Sequence, residues 1–271
     1  MEIVESIGAL REKLGKTSRA FVPTMGNLHA GHLALFERAK RLAPCTVGSI
    51  FVNRLQFGAG EDFDRYPRTF AEDCEKLRAA GVDFLFAPSE KTLYPVPQDV
   101  MVALPPIADE LCGAHRPGHF AGMATVVLKL LNIVQPDFAV FGAKDYQQLH
   151  LVRKMVARFD LPVEIVAGET VREADGLAMS SRNRYLDPEE RAEAPRLYLE
   201  LSGIAREIAS GNTDFSGLAR RAAGSLESRG WRVDYIETRD AETLSPPCGG
   251  KRVVLGAARL GKTRLIDNIE A

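Results

Sequence analysis

Short, nearly continuous apolar runs alternate with longer stretches of helical period over the first two-thirds of this chain, and that rhythm limits the fold most. The apolar runs fall at residues 19–22, 46–52, 84–87, 138–141 and 163–166. Helical patterns cover 31–42, 70–80, 119–133 and 146–159. Strands that are apolar along their whole length are buried on both faces, which calls for a parallel sheet with helices on each side. Local punctuation agrees: Thr69 with Glu72 reads as a capping box for the helix at 70–80, and Gly81 as its stop. Ligands of such sheets bind beyond the carboxyl ends of the strands. His29, Asn53 and Lys144 each follow a strand, so one crevice is expected to gather all three.

After about residue 171 the rhythm changes. Asp187-Pro188-Glu189-Glu190 starts a helix, with Asp as the cap and Pro in the first turn. A second helix follows at 215–227, then strands at 232–238, 252–258 and 264–269. The expected organisation is therefore α/β. A Rossmann-like parallel sheet with helices on both faces spans 1–170, and a smaller α+β domain at 171–271 is expected to cover the active site. The segment 58–62 reads as a flexible loop and a candidate lid, and 94–97 as a second loop.

Of 271 residues, 45% are apolar and 26% charged, enough for a sizeable core. A net charge of −1 gives no global field toward nucleic acid or a membrane surface. The start of the chain lacks the basic and apolar regions of a signal peptide, and the longest apolar run, 123–134, is broken by Lys129 and Asn132. Cys45, Cys74, Cys112 and Cys248 form no paired motif, so zinc and redox sites are not expected and a reducing cytoplasm is.

The richest chemistry lies in Pro23-Thr-Met-Gly-Asn-Leu-His-Ala-Gly-His32, which joins a strand to a helix. A helix start carries partial positive charge and unpaired N–H groups, and His29 and His32 add imidazole donors there. Gly26 and Gly31 allow close backbone approach. The arrangement predicts a nucleotide triphosphate site; a metal reading of the histidines lacks a third ligand. A second strand-to-helix turn, Phe141-Gly142-Ala143-Lys144-Asp145-Tyr146-Gln147-Gln148, offers a point charge for phosphate in Lys144. Gly142 leaves room for a base or ribose. Asp145 suits a helix cap or a ribose hydroxyl, and Gln148 lies one helical turn beyond it. Asn53 and Gln56 suit a small polyol acid, although such residues serve ordinary loops too. Met179-Ser180-Ser181-Arg182-Asn183 places two hydroxyls beside a guanidinium, as a triphosphate clamp or a capped surface turn would.

The His29-x-Gly31-His32 sequence resembles the signature of the nucleotidyl-transfer superfamily that includes class I aminoacyl-tRNA synthetases, and Met179–Arg182 its second signature loop. Together with Phe51-Val-Asn53, Gln56-Phe57, Tyr66-Pro-Arg-Thr69, Arg116-Pro-Gly-His-Phe120 and Lys144–Gln148, the series resembles the pantoate–β-alanine ligase (pantothenate synthetase) family along nearly the whole chain. The resemblance implies ATP-driven condensation of pantoate with β-alanine through a pantoyl adenylate, with Mg²⁺ bridging the phosphates. It implies His29, His32, Lys144 and Arg182 as catalytic residues. ATP falls to Met25, Gly31, His32, Phe141, Gly142, Lys144, Asp145, Val171, Met179, Ser180, Ser181 and Arg182. Pantoate falls to Met25, Asn53, Gln56 and Gln148. A cytoplasmic homodimer, with no nucleic-acid or membrane partner, is implied as well.

Two departures stand out: Arg54 where the family usually has Pro, and Ala143 where it usually has Glu. Without Pro the loop at Arg54 is expected to be more mobile, and without Glu a partner of Lys144 is missing. The rival readings are another nucleotidylyltransferase of the superfamily, or a non-catalytic nucleotide-binding homologue.

Overall fold

In the computed structural model, residues 1–58 and 60–271 are described; Ala59, inside the expected lid loop, lies outside the described residues. The chain divides into two compact units, one of residues 1–143 and 151–169, the other of residues 144–150 and 170–271.

The first unit holds six strands: β1 (Glu2–Val4), β2 (Arg19–Thr24), β3 (Cys45–Ile50), β4 (Phe84–Phe86), β5 (Phe138–Gly142) and β6 (Glu164–Gly168). They form one all-parallel sheet in the order β1-β4-β3-β2-β5-β6. Its helices are α1 (Ile7–Leu14), α2 (Ala30–Lys40), α3 (Phe70–Ala79), short α4 (Glu90–Leu93) and α5 (Cys112–His115), α6 (His119–Val134), and α7 (Tyr146–Arg158), whose first turn falls in the second unit. The strand order explains the sequence pattern. Interior β2, β3 and β5 must be apolar on both faces, as Ala20, Phe21, Val22, Val47, Ala139 and Val140 are, each at most 1% exposed. Leu35, Phe36 and Ala39 of α2 pack with Cys74 and Leu77 of α3 and with Val22 and Val140. The apolar run 123–134 is part of α6, a core helix rather than a span; no helix among the described residues is long and apolar enough to cross a membrane.

The sheet switches direction between β2 and β5. Strands β2, β3 and β4 step one way, and β5 and β6 lie on the other side of β2. Six residue pairs join β2 to β3, but only Ala20 to Phe138 and Phe21 to Ala139 join β2 to β5. The two strands therefore part toward their carboxyl ends, which opens a crevice at the switch point where this architecture receives ligands.

The second unit holds α8 (Pro188–Glu193), α9 (Arg196–Ala209) and α10 (Phe215–Glu227), with an antiparallel sheet of β7 (Arg232–Asp240), β8 (Arg252–Leu260) and β9 (Thr263–Glu270). Leu197, Leu201 and Ile204 of α9 and Leu218 and Leu226 of α10 close on Trp231, Ile236, Val254 and Leu265. Asp187 caps α8 as its residues foretell, accepting the Glu190 N–H at 2.8 Å while Glu190 accepts the Asp187 N–H at 3.1 Å. Two helices are expected before the strands and three are present. Pro195 has no N–H to continue the first, so α8 ends at Glu193 and α9 restarts at Arg196.

Gly81 ends α3 as expected: its N–H reaches the Arg78 carbonyl at 3.0 Å and the Val82 N–H reaches the Leu77 carbonyl at 3.1 Å. The capping box expected at Thr69 is absent. Thr69 makes no side-chain cap; its hydroxyl donates to Asp73 Oδ2 at 3.1 Å, because Asp73 is engaged elsewhere.

Candidate active site

That engagement builds the turn before the histidines. Asp73, 1% exposed, accepts the N–H of Asn27 at 2.8 Å and of Leu28 at 2.7 Å. The turn it holds includes Gly26 at φ +81° and Asn27 at φ +52°. A Cβ on Gly26 would lie 3.1 Å from both Asp73 Oδ2 and Ile50, so glycine suits this position in both backbone angle and space. No local pattern in the sequence links Asp73 to a turn 45 residues earlier.

Delivered by that turn, His29 caps α2. Its Nδ1 accepts the Gly31 N–H at 3.2 Å, and His32 Nδ1 accepts the His29 N–H at 3.3 Å. The rings lie 4.1 Å apart between centroids. An Nδ1 that accepts a backbone N–H carries no proton in the neutral ring, so in both residues the proton sits on Nε2. Both imidazoles are thereby fixed as Nε2–H donors at the positive end of a helix.

The turn after β3 supplies a chain of amides. Asn53 is fully enclosed. Its Nδ2 donates to Gln56 Oε1 and to the Gly122 carbonyl, each at 3.1 Å, and its Oδ1 accepts the Tyr94 hydroxyl at 2.9 Å. Gln56 Nε2 in turn lies 3.2 Å from Met25 Sδ. The structure thus brings Met25, Asn53 and Gln56 together, with Asn53 behind Gln56. Gly122 of α6 makes the close approach possible: a Cβ there would run into the Leu55 carbonyl.

A second brace reaches the same turn. Arg116 forms a bidentate pair with Glu61 of the 58–65 loop, Nε to Oε1 at 2.8 Å and Nη2 to Oε2 at 2.6 Å. Its Nη1 meets His119 Nε2 at 2.8 Å, and His119 Nδ1 meets the Gln56 carbonyl at 2.7 Å. The carbonyl only accepts, so His119 Nδ1 donates and Nε2 accepts from Arg116. Arg54 tethers the loop too: its guanidinium lies 4.0 Å from the Phe63 ring centroid and its Nε 3.3 Å from Glu90 Oε1. The residue that departs from the family's Pro therefore gains two side-chain contacts in place of a fixed φ.

Phe141 and Gly142 end β5 in the first unit, Phe141 buried and Gly142 half-buried. In the second unit, the Lys144 carbonyl accepts the Asn268 amide at 2.8 Å, and Tyr146 bonds the Ala241 carbonyl at 2.9 Å. Lys144 Nζ stands 3.8 Å from Asp145 Oδ2, a loose pair, and Ala143 brings no carboxylate to it. Gln148 is half-buried on α7.

The segment 171–179 folds back on itself: Met179 N–H bonds the Val171 carbonyl at 3.0 Å, and Glu173 N–H the Leu177 carbonyl at 2.8 Å. Arg172 anchors it through a bidentate pair with buried Asp267, at 2.6 and 2.9 Å. Next along, Ser180 Oγ accepts the Arg182 N–H at 3.3 Å and starts the single turn Ser181–Tyr185. Ser180, Ser181 and Arg182 are thus grouped on one capped turn, and all three are half-buried.

Asp73, Tyr94, the Arg116–His119 brace and the Arg172–Asp267 pair hold residues expected to meet substrate. None carries a local signal of that role, although Arg116 and His119 lie in a segment that resembles the family.

Residues 2–270 match the family model described as pantoate-beta-alanine ligase. The chain belongs to the pantoate–β-alanine ligase family. It is 60% identical over 273 residues to pantothenate synthetase of Nitrosospira multiformis, covering 100% of this chain and 98% of that one. Against the pantothenate synthetase of Chromobacterium violaceum it is 59% identical, over 100% and 99% of the two chains. The crystal structure of pantothenate synthetase from Thermus thermophilus superposes with a TM-score of 0.95 at 46% identity, covering 99% of each chain. Pantoate-beta-alanine ligase from Francisella tularensis, complexed with beta-gamma ATP and beta-alanine, matches with a TM-score of 0.82 at 35% identity, over 99% and 97%. This member of the family is an enzyme, a ligase that forms pantothenate.

Proposed function

We propose that the chain joins pantoate to β-alanine in two steps, with MgATP as the activating substrate. A carboxylate is a poor acyl donor because oxide is a poor leaving group. In the first step a pantoate carboxylate oxygen attacks the α-phosphorus, and pyrophosphate leaves. In the second the β-alanine amine attacks the acyl carbon of the pantoyl adenylate, AMP leaves with the bridging oxygen, and the new amide gives up a proton.

An anion approaching a polyanion needs positive charge and donors already in place. The observation that carries this reading is the pair of imidazoles at the start of α2, each turned so that Nε2 donates. His29 and His32 are assigned to phosphate oxygens. Lys144 and Arg182 supply full positive charge, Lys144 at the α-phosphate and Arg182 with Ser180 and Ser181 at the departing pyrophosphate. Gly31, Phe141, Gly142, Asp145, Val171 and Met179 are assigned around the nucleotide. Met25, Gln56 and Gln148 hold pantoate, and Asn53 acts behind Gln56. This donor set suits phosphate rather than a resident metal: no group of three His, Cys, Asp or Glu side chains suited to a metal occurs among the described residues. Mg²⁺, implied by the family resemblance, would come with the nucleotide and add charge neutralisation at the phosphates to that of Lys144 and Arg182. A homodimer in the cytoplasm belongs to the same reading and rests on family membership.

The test is product analysis with ATP, Mg²⁺, pantoate and β-alanine, omitting each organic substrate in turn. Stoichiometric AMP and pantothenate are expected only from the complete mixture. ADP and orthophosphate in place of AMP and pyrophosphate would contradict activation at the α-phosphorus.

A further inference from the structure

We propose that Tyr94 is a positioning residue that, through Asn53, fixes the Gln56 carboxamide with its NH₂ group presented to pantoate. This rests on the assignment of Gln56 to pantoate.

A carboxamide can turn over and exchange donor for acceptor, and its sense must be inferred from its neighbours. Here one neighbour cannot change: the Gly122 carbonyl is a backbone acceptor, 3.1 Å from the Asn53 amide. That end of Asn53 must be Nδ2, and its second N–H then points to Gln56, 3.1 Å away. Gln56 must therefore turn Oε1 inward, which leaves Nε2 on the side of Met25, 3.2 Å from Sδ. The same logic sends Asn53 Oδ1 to Tyr94, whose hydroxyl donates at 2.9 Å. Each link in the chain has one permitted sense. Tyr94 is suited to closing it: burial pushes its phenol pKa well above the ordinary value, so the O–H stays a donor over the working range. Its ring is held independently, 5.9 Å from Phe51 and 4.7 Å from the Lys129 ammonium. The outcome is a donor where a carboxylate or hydroxyl of pantoate needs one.

Without the hydroxyl, Asn53 Oδ1 is a buried acceptor with no donor; the Gly122 carbonyl still sets the sense of Asn53, but one of its two anchors is gone and the Gln56 carboxamide is held less firmly. Tyr94→Phe keeps the ring and its packing. It is expected to raise the pantoate KM about tenfold while leaving the ATP KM within about twofold, as a relaxed buried hydrogen bond would. Gln56→Ala raises the pantoate KM by itself, and adding Tyr94→Phe to it changes nothing further, because the hydroxyl acts only through Gln56. Gln56→Glu offers an oxygen in place of the NH₂ group and is expected to bind pantoate more weakly than Gln56→Ala.

If Gln56→Ala raises the pantoate KM and Tyr94→Phe does not, the substrate assignment stands and the role of Tyr94 falls. If Gln56→Ala has no effect, both fall. Equal rises for ATP and pantoate in Tyr94→Phe, or additive effects in the double variant, would mean general loosening and overturn the proposal. Should Tyr94→Phe fail to fold, Gln56→Glu decides: pantoate binding as in the wild type would overturn the donor assignment.

Discussion

Lys144→Ala is expected to leave a folded protein that forms pantoyl adenylate about a thousandfold more slowly, the scale of losing one charge that stabilises a phosphoryl-transfer transition state. The side chain is removable without structural cost because the residue is held by its backbone: its carbonyl accepts the Asn268 amide at 2.8 Å. Its ion-pair partner, Asp145, is loose at 3.8 Å and 48% exposed, so no buried charge is left behind. Single-turnover measurement of adenylate, with circular dichroism as the control for folding, checks this. Near-normal adenylate formation would remove Lys144 from the chemistry.

Asp73→Ala is expected to give the largest loss of stability. It removes a 1% exposed carboxylate that satisfies the backbone N–H groups of Asn27 and Leu28 and the Thr69 hydroxyl. Two buried backbone donors left without partners cost about 3–5 kcal/mol together. For a unit of this size that lowers the unfolding midpoint by about 10 °C. Activity should fall further than stability, because the same turn places His29 at the start of α2. Thermal unfolding with and without ATP, beside kcat/KM of the folded variant, separates the two effects. A midpoint within about 1 °C of the wild type would show that the turn does not depend on Asp73.

What can be read from the residues follows the range of the forces involved. The interior strands are legible because burial on both faces writes itself as a nearly continuous apolar run, broken in β3 only by the small residues Thr46, Gly48 and Ser49. The edge strand Glu2–Val4, pairing with β4 on one side only, is too short for any such run; α1, also unread, does carry a local signal in its Ser6 cap and in Leu10 and Leu14. The break between α8 and α9 is visible in Pro195, but a proline inside a helical pattern also permits a kink. The histidines, lysine and glutamines announce themselves by residue type next to strand ends. Their supports do not. Asp73 acts across 45 residues on Leu28, Tyr94 across 41 on Asn53, and Asp267 across 95 on Arg172. Such pairs are set by the folded topology, and nothing local distinguishes them from surface residues. Asp73 is the clearest case: by sequence it is one acid in the first turn of α3 beside Glu72. Thr69 misleads for that reason, since a capping box is a local motif and the competing partner is committed to a distant turn.

Pantoate labelled with ¹⁸O in both carboxylate oxygens reports directly on whether an adenylate forms. If the carboxylate attacks the α-phosphorus and the amine then attacks the acyl carbon, one labelled oxygen appears in the phosphate of AMP for each pantothenate formed. The other remains in the amide carbonyl, and pyrophosphate stays unlabelled. Label in pyrophosphate or orthophosphate, or AMP formed without label, would contradict activation through a pantoyl adenylate.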